Sequence, residues 1–592
     1  MKRILVSILA AIGTISLLFL ALFVIIITSI SKKDKAATIA GNTVLELNLE
    51  TGVLETAPEN PLYQLQTQSQ PTLRGIVEGL EKASTDGRVK GLFAHIGAAP
   101  LSIADIQEIR DAILAFRSKN KFAVAFSETL GEFGPATGMY YLASAFDEIW
   151  LQPSGDVGLN GIRLESQFVR GTFDKLGMLP RMDHRYEYKN AMNQYTEKSF
   201  TPAHREAMAK VKDSWFQQVV RGIAQGRKLT EEQVRTAIDK GPYLGKEALD
   251  ARLVDGMGYR DEVVGRVKQK GGAGAKLLYL SRYRERAGQI HTSGSRVALI
   301  YGVGAVQRGR NSSDPLQGSL TMGSETVAGA FRAATEDKDV KAILFRVNSP
   351  GGSYVASDTI WREVVRARQA GKPVIVSMGT LAGSGGYFVA MAADKIVAQP
   401  GTITGSIGVL GGKVVTRGLW DKAGVTFDEV HSGTNANMFD NYKDYSPEEW
   451  ARFEAWLDRV YEDFTGKVAE GRKLPKEKVL QIAKGRIWTG EDAKSLGLVD
   501  ELGGYPAALR LVKAAAKIPE AQDVELRVYP RRKTKLEALL AILEGEQREN
   551  SDSQTWAQVL TAVQPVFRRL NAAGLYGGSD GVLSMPELNG VF

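Results

Sequence analysis

The sequence contains no cysteine among its 592 residues and has only five histidines. Without cysteine there can be no disulfide framework, no thiol nucleophile and no thiolate ligand for a metal. The histidines form no HExxH pair, a Ser-His-Asp triad is hard to build from them, and no carboxylate cluster completes a metal site. We therefore expect no metal and no other cofactor, and each histidine should be an ordinary surface or helix-face residue. The five are His95, His184, His204, His291 and His431.

Charge of one sign is not concentrated anywhere in the chain. The formal net charge is +8, but Lys and Arg are interleaved with Asp and Glu throughout. A nucleic-acid-binding surface needs a basic stripe or patch, so we expect no nucleic-acid partner. With 44% apolar and 24% charged residues, the chain has the composition of a globular protein long enough for two to four domains.

The N-terminus carries the one long stretch without charge. Residues Ile4 to Ser31 follow Met1-Lys2-Arg3 and contain no charged side chain. At about 1.5 Å per residue this run exceeds the roughly 30 Å hydrocarbon thickness of a bilayer, so it predicts an uncleaved transmembrane anchor. Cleavage near Ala36-Ala37 is the alternative. Basic residues flank both ends, so the positive-inside rule does not fix the orientation.

The sequence is internally duplicated. Tyr140 to Gly161 matches Tyr387 to Gly408 at a constant offset of 247 residues, and Gly245 to Tyr259 matches Gly490 to Tyr505 at an offset of 245 up to a shared Val-Asp pair. Repeats of this length indicate two copies of one domain. The predicted units are the anchor (residues 1–35), an N-terminal repeat (40–285), a C-terminal repeat (295–530) and a tail (531–592) that contains two helical patterns and no recognisable function.

Each copy shows strands alternating with helices. Short, continuously apolar and branched runs predict buried strands at 296–306, 341–350, 373–379 and 394–400. Helical patterns lie between them. A Ser-Pro-Glu-Glu cap begins a long amphipathic helix over 446–472, and its counterpart begins at Thr201-Pro202. This order predicts βαβ units and a mostly parallel α/β sheet.

Two glycine-rich segments are candidates for chemistry: Arg346 to Ser353 and Thr380 to Met391. Each follows a predicted strand and leads into a helix, where free backbone N–H groups can approach an anion. Neither completes the GxxxxGK[ST] pattern of a phosphate loop, and Gly411-Gly412-Lys413 is followed by Val414. The second segment places Ser384 between glycines at a strand-to-helix turn, which is how a hydrolase exposes a nucleophilic hydroxyl.

Three motifs together resemble one family. They are NSPGG (Asn348 to Gly352), AGSGGY (Ala382 to Tyr387) and TGSIGV (Thr404 to Val409). Within a duplicated α/β chain that has one N-terminal anchor, they resemble the long form of signal peptide peptidase A, also called protease IV. The resemblance covers essentially the whole chain and implies a tandem duplication of a ClpP/crotonase-like domain, with a serine nucleophile and a lysine general base.

The resemblance also implies the roles of individual residues. Ser384 is the expected nucleophile, Lys189 in RYEYKNAMNQY is the expected general base, and Ser406 is the serine that holds the lysine. The oxyanion donors are expected to be the N–H of Gly385 and one from either Gly351 or Gly352.

The repeat provides a separate check on this assignment. Counting back 16 residues from the first shared proline reaches Ser384 in the C-terminal copy and Thr137 in the N-terminal copy. Counting back 13 residues from the next shared proline reaches Lys189 in the N-terminal copy and Thr434 in the C-terminal copy. Each copy keeps one member of the dyad, so a working site has to be assembled across the copies.

The chemistry places a demand on Lys189. A lysine with its ordinary pKa of about 10.4 is protonated at neutral pH and cannot accept the serine proton. Lowering that pKa to about 7 requires burial or a nearby cation. We therefore expect Lys189 to be buried, with Glu187 and Glu197 pointing away from it.

The remaining expectations follow from the resemblance. We expect a homotetramer in which eight half-repeats form a closed bowl, held to the cell inner membrane by a single span, with the catalytic part on the periplasmic or outer face. Expected substrates are cleaved signal peptides and other hydrophobic peptides in the lipid bilayer. Two alternatives remain open: a crotonase-like acyl-CoA enzyme and a non-catalytic membrane-anchored oligomeric scaffold.

Overall fold

The computed structural model describes residues 38–56, 70–97, 101–314 and 319–531, together with two short backbone segments at 582–583 and 589–591. The predicted anchor, Ile4 to Ser31, and the two helices predicted in the tail lie outside the described residues. Within the described residues, the helices are all too short or too polar to cross a bilayer.

The N-terminal half is built on a parallel sheet. The strands described in this half are β1 (Thr43–Asn48), β2 (Val89–His95), β3 (Phe122–Ser127), β4 (Glu148–Leu151), β5 (Asp156–Val157), β6 (Arg163–Glu165), β7 (Leu179–His184), β8 (Tyr243–Leu244), β9 (Gly256–Met257) and β10 (Lys276–Tyr279). The sheet order is β10-β1-β2-β3-β4-β9, and every neighbouring pair runs parallel. β5 pairs antiparallel with β8.

Helices cover this sheet. They are α1 (Leu73–Thr85), α2 (Ile103–Arg117), α3 (Thr137–Ala143), α4 (Arg170–Leu176), α5 (Asn193–Thr196), α6 (Pro202–Arg227), α7 (Glu231–Lys240), α8 (Gly245–Asp250), α9 (Arg260–Gly271) and α10 (Leu280–Ala287), with a 3₁₀ turn at Asn190–Met192. The long helix α6 starts where the sequence predicts, because Thr201 caps it and Pro202 occupies its first turn.

The C-terminal half repeats the plan. Its strands are β11 (Ser295–Val303), β12 (Ala305–Gln307), β13 (Ser312–Asp314), β14 (Ser319–Gly323), β15 (Val340–Ser349), β16 (Gly352–Ser353), β17 (Val374–Gly383), β18 (Lys395–Ala398), β19 (Ile403–Gly405), β20 (Leu410–Val415), β21 (Ile487–Thr489), β22 (Glu501–Leu502) and β23 (Val524–Tyr529), with β24 (Val582–Leu583) and β25 (Asn589–Val591) from the tail. The main sheet runs β21-β19-β17-β15-β11-β23, with β18 beside β17 and β22 beside β18. Only β21 is antiparallel in this described sheet.

The helices of this half are α11 (Ser324–Glu336), α12 (Tyr354–Gln369), α13 (Gly385–Phe388), α14 (Arg417–Ala423), α15 (Pro447–Arg472), α16 (Lys476–Ile482), α17 (Gly490–Leu496) and α18 (Tyr505–Ala515). The predicted helix over 446–472 is confirmed, and Ser446 and Glu449 form its capping box. The mostly parallel α/β architecture is also confirmed. Two strand predictions are wrong. The strand predicted over 296–306 divides at Gly304, which has a φ of 92°, into β11 and β12 of different sheets. The strand predicted to end at 379 continues to Gly383, because Leu381 to Gly383 pair with β19.

The repeated tyrosine makes the same hydrogen bond in both halves. The hydroxyl of Tyr140 donates to the carbonyl oxygen of Leu253 at 2.8 Å, and the hydroxyl of Tyr387 donates to that of Leu498 at 2.9 Å. The repeated aspartates likewise accept from the beginnings of corresponding strands, since their carboxylates bind the N–H of Ala123, the second residue of β3, and of Val374, the first residue of β17. The sequence identities between the copies therefore reflect shared hydrogen bonds that fasten a helix and a strand end to the sheet.

A third sheet joins the two halves. β7 of the N-terminal half pairs antiparallel with β20 of the C-terminal half, from Leu179 opposite Val415 to His184 opposite Leu410. On its other edge β20 meets β24, which in turn pairs with β16. Because of this pairing, the segment that follows β7 lies directly against the C-terminal half.

The halves also meet through a buried turn that follows β18. The side-chain oxygen of Gln107 accepts the N–H of Gly401 at 2.7 Å, and the indole N–H of Trp215 donates to the carbonyl oxygen of Gly401 at 2.9 Å. A β-carbon at Gly401 would lie 2.7 Å from Cγ2 of Ile103. Glycine is therefore needed here for the helices of one half to reach the backbone of the other.

Gly401→Val should destabilise the protein by about 2 kcal/mol, because the added side chain overpacks this contact between the halves. The midpoint of thermal unfolding, followed by circular dichroism, should fall. Gly329→Ala is the matched control, since a β-carbon there meets nothing closer than 4.0 Å and alanine favours the helix. Equal midpoints for the two variants would contradict the proposed tight contact.

Candidate active site

Ser384 occupies a strained turn between β17 and α13. Its φ of 55° and ψ of −116° fall in a region that side-chain-bearing residues rarely adopt. The surrounding backbone holds it there: its N–H donates to Gly405 at 2.8 Å, and its carbonyl oxygen accepts the N–H of Phe388 at 2.8 Å. The residue is fully buried in the single chain. The sequence prediction of a strand-to-helix turn at this serine is confirmed.

The glycines around Ser384 allow two backbone segments to touch. A β-carbon on Gly386 would lie 2.5 Å from the carbonyl oxygen of Ser349, and one on Gly385 would lie 3.0 Å from the backbone nitrogen of Gly352. Gly385 is also the first residue of α13, where an N–H has no acceptor within the helix. The backbone of Gly385 and the backbone nitrogen of Gly352 are therefore close to each other, next to Ser384.

The choice between Gly351 and Gly352, which the sequence leaves open, has a structural basis. The N–H of Gly351 donates to Oγ of Ser349 at 3.2 Å, and its carbonyl oxygen accepts the N–H of Val306 at 2.8 Å. Both polar groups of Gly351 are already engaged. The geometry favours Gly352 as the second candidate donor beside Gly385.

Lys189 reaches this turn from the N-terminal half. The chain leaves β7 with the N–H of Arg185 on the carbonyl oxygen of Val409 at 2.9 Å, and Tyr188 donates to Lys484 at 3.1 Å. At Gly485, which has a φ of 80°, a β-carbon would lie 2.5 Å from Cβ of Lys189. Gly485 is a site residue that the sequence analysis missed, because nothing near it in the sequence signals contact with the other half.

The amine of Lys189 contacts two serines of the C-terminal half. Nζ lies 2.7 Å from Oγ of Ser384, 3.0 Å from Oγ of Ser406 and 2.8 Å from the carbonyl oxygen of Ser406. All three residues are completely buried. The structure therefore brings together the three side chains that the sequence analysis selected, over sequence separations of 195 and 217 residues.

Burial lowers the pKa of Lys189 well below its ordinary value. In the described part of the chain no carboxylate forms an ion pair with Nζ, and Glu187 pairs instead with Lys484 at the surface, 3.0 Å away. A neutral amine can accept the hydroxyl proton of Ser384 while donating its own hydrogens to Ser406. The expected burial is thus present.

Ser406 also has an unusual backbone, with a φ of 50°. Its N–H donates to the carbonyl oxygen of Arg486 at 2.7 Å. This conformation aims both its hydroxyl and its carbonyl oxygen at Lys189. Two acceptors fixed on the amine orient its lone pair toward Ser384.

The corresponding positions in the other copy hold no such pair. Thr137 begins α3, and its Oγ1 accepts the N–H groups of Asn160 and Gly161 at 3.3 and 3.0 Å. Thr434, which corresponds to Lys189, is exposed on the segment after α14. In the described residues, the contact between the lysine and the serine therefore lies in the C-terminal half, and the N-terminal half contributes the lysine.

One group of potential metal ligands was not foreseen from the sequence. Glu50, His95 and Glu128 bring ligand atoms within 4.8 Å of one another, because the parallel register of β1, β2 and β3 places their ends side by side. The two ring nitrogens of His95 face different carboxylates, at 3.1 and 2.5 Å. The expectation of a surface or helix-face histidine is wrong for His95 and for His291, which are both buried outside helices.

Comparison with known proteins finds similarity in both halves of the chain. The model of "Peptidase family S49" matches residues 117–274 and 366–519, one segment in each half. The chain is 32% identical to "Serine protease SPPA, chloroplastic" of Arabidopsis thaliana over 79% of its length and 69% of that protein, and 32% identical to "Protease 4" of Salmonella typhi over 81% and 77%.

Similarity extends further at lower identity. "Protease 4" of Haemophilus influenzae is 28% identical over 86% of this chain and 85% of its own. Among solved structures, a ClpP1 mutant from Listeria monocytogenes aligns with 36% of this chain and 95% of its own, at 17% identity and a TM-score of 0.23. With family matches in both halves that together span more than half of the sequence, the chain belongs to peptidase family S49 and is a serine endopeptidase similar to the SPPA and Protease 4 proteins.

Proposed function

We propose that this endopeptidase cuts peptide bonds with a Ser384–Lys189 dyad assembled from both halves, each half being a ClpP/crotonase-like domain. The observation that carries the proposal is the 2.7 Å contact between Nζ of Lys189 and Oγ of Ser384, in a site that solvent does not reach. The proposed substrates are cleaved signal peptides and other hydrophobic peptides, and the proposed location is the inner membrane.

Acylation begins with transfer of the Ser384 proton to the neutral amine. Oγ of Ser384 attacks the carbonyl carbon of the scissile bond, and the bond to the leaving nitrogen breaks after the tetrahedral intermediate forms. The proton then held by Lys189 passes to the leaving amine. In deacylation the same amine takes a proton from water, whose oxygen attacks the ester carbonyl, and Ser384 regains its proton.

Two charges develop during this cycle, on the oxyanion and on the amine of Lys189, and each lies next to groups that can stabilise it. The oxyanion is placed to accept the N–H groups of Gly385 and Gly352, each worth about 3 kcal/mol in comparable sites. The transient ammonium on Lys189 faces the carbonyl oxygen and hydroxyl of Ser406. These are neutral acceptors, so they stabilise the ammonium without holding Lys189 protonated in the resting enzyme.

A peptide is the ligand that the neighbouring backbone fits. β16 and β20 face each other across one strand position, and the backbone at Val582 and Leu583 fills that position antiparallel to both. Gly352 is on one side of this gap, and β20 begins shortly after Ser406 on the other. An extended peptide that takes the place of Val582 and Leu583 can bind there by main-chain hydrogen bonds and pass the nucleophile.

The homotetramer is proposed from the same duplication. The segment that corresponds to β7 is Thr426 to His431, where Phe427 and Val430 are 51% and 101% exposed. The strand that corresponds to β20 is β6 (Arg163–Glu165), which in the single chain pairs with β25. A second copy can repeat the β7–β20 joint there by taking the other edge of β6 or by displacing β25. One repeated head-to-tail contact of this kind closes into a ring of eight half-repeats.

Ser384→Ala and Lys189→Met should each lower kcat/KM for a fluorogenic apolar peptide by at least about 10⁴-fold, because each removes one partner of the proton transfer. The full-length protein in detergent is assayed. Glu187→Gln, a change at an exposed neighbour of Lys189, should stay within about twofold of the parent. Substantial turnover by either dyad variant would exclude the proposed mechanism.

The activity should depend on the protonation of Lys189. As the pH falls through its lowered pKa, the amine becomes charged and kcat/KM should decline, with a slope of about one proton. The slope should be absent from the residual activity of Lys189→Met. A parent profile that stays flat to acid pH, at constant oligomeric state, would contradict the assignment of the base.

Thermal unfolding gives a separate check on the same pKa. Between the lowered pKa of the folded state and about pH 10, the unfolded chain binds one more proton at this residue, so its contribution to stability rises with pH. Lys189→Met should therefore be more stable than the parent near neutral pH, and the difference should shrink as the pH approaches about 10.

Val430→Asp should break the proposed tetramer, because a charge would be buried at the contact. Light scattering after size-exclusion chromatography should show fewer than four chains per particle. Tyr259→Asp serves as the control: Tyr259 is also exposed, at 53%, and it lies at a helix N-cap where aspartate is well tolerated. A tetramer that persists in Val430→Asp would reject this contact.

A further inference from the structure

A buried cation lies beneath the oxyanion loop, which we define as residues 349–352. Arg346 on β15 is fully buried and donates to Glu55 at 2.8 Å, to Glu108 at 3.0 Å and to Oγ of Ser377 at 2.8 Å. Both carboxylates come from the N-terminal half. Their charges raise the pKa of Arg346 against the effect of burial, so the guanidinium stays charged.

The two carboxylates differ in what else they contact. Glu55 accepts the side-chain N–H of Asn348 at 3.3 Å. Glu108 accepts the backbone N–H of Tyr505 at 2.7 Å, at the start of α18. Both therefore neutralise Arg346, but only Glu55 also contacts the residue that begins the NSPGG motif.

Asn348 fixes the position at which the oxyanion loop leaves the sheet. Its carbonyl oxygen accepts the N–H of Gly304 at 2.9 Å, and the next residue, Ser349, pairs with Ala382 of β17. Four residues after Asn348 comes Gly352, the candidate oxyanion donor. A displacement of the Asn348 side chain would thus be transmitted to that donor over a very short stretch of chain.

Glu55 also lies against the strand that carries the nucleophile. A β-carbon on Gly379 of β17 would lie 2.8 Å from Oε2 of Glu55 and 3.1 Å from Cβ of Asn348. The carboxylate therefore fits between the ends of β15 and β17, and the absence of a side chain at Gly379 makes room for it. Ser384 follows five residues later on the same strand and turn.

We propose that Glu55 is a positioning residue for the oxyanion loop, acting through its contact with Asn348. The N-terminal half then supplies two things to the site in the C-terminal half: the base and the carboxylate that sets the place of the oxyanion donor. This inference rests on the proposed function, since it concerns the same peptide hydrolysis. Glu108 balances the charge of Arg346 and has no such role.

The test compares Glu55→Ala with Glu108→Ala in the full-length protein. Each removes one of the two carboxylates from Arg346, so a purely structural role predicts equal effects. We expect Glu55→Ala to lower kcat about tenfold with KM within about twofold, a fraction of the loss that follows removal of an oxyanion donor. Glu108→Ala should keep kcat within about threefold of the parent, although its unfolding midpoint should be similar to that of Glu55→Ala.

A second readout isolates the oxyanion. A peptide aldehyde forms a tetrahedral adduct with Ser384, whereas the matching peptide amide does not. The ratio of their affinities should fall about tenfold in Glu55→Ala and stay unchanged in Glu108→Ala. Asn348→Ala should reproduce the effect, and the double variant should be no worse than either single change, because both act through one contact.

Equal losses of kcat in Glu55→Ala and Glu108→Ala, or an unchanged affinity ratio in Glu55→Ala, would overturn the inference. If Glu55→Ala does not fold, Asn348→Ala and the conservative Glu55→Gln, which retains an oxygen acceptor and should recover most of kcat, decide the question. Substantial hydrolysis by Ser384→Ala would instead refute the proposed function. A positioning role that fails while Ser384→Ala is inactive leaves that function intact.

Discussion

The site depends on keeping one amine out of water. In the proposed mechanism Lys189 acts as a base only while it is neutral, and burial is what lowers its pKa. No neighbouring carboxylate can be allowed to restore the charge, which is why its polar contacts are hydroxyl and carbonyl oxygens. The lysine must therefore be covered on all sides, and in this chain the cover comes from the other half of the molecule.

The need to bury Lys189 explains why the two halves contact each other closely. The pairing of β7 with β20 brings the proposed base, Lys189, to the C-terminal half, and Gly485 and Gly408 leave room for its side chain there. The buried Arg346 with its two carboxylates is costly to desolvate and is weak evidence for stability by itself. Its directional bonds do fix how one half sits on the other. In the proposed mechanism, duplication has allowed the C-terminal half to keep the nucleophile while the N-terminal half contributes the base.

The candidate reactive side chains could be predicted from the sequence, but the contacts that position them could not. Ser384 and Lys189 could be found because each lies in a motif and because counting from shared prolines shows which copy has lost which residue. The positions of the main strands and the mostly parallel sheet followed from apolar runs alternating with helices. Gly485, the engagement of Gly351 by Ser349 and the meeting of Glu50, His95 and Glu128 could not be found. Each depends on the register of strands or the packing of halves, which local patterns do not specify.

Two residues of the candidate site have a strained backbone. Ser384 and Ser406 both have positive φ, at a cost of about 1–3 kcal/mol each, although glycine would adopt that conformation freely. Glycine has no hydroxyl, so the strain is retained where the proposed mechanism needs a serine hydroxyl. The corresponding residues of the other copy, Thr137 and Leu159, do not have positive φ. A copy that keeps no serine at either position has no reason to retain the strained turns, so the strain follows the chemistry rather than the fold.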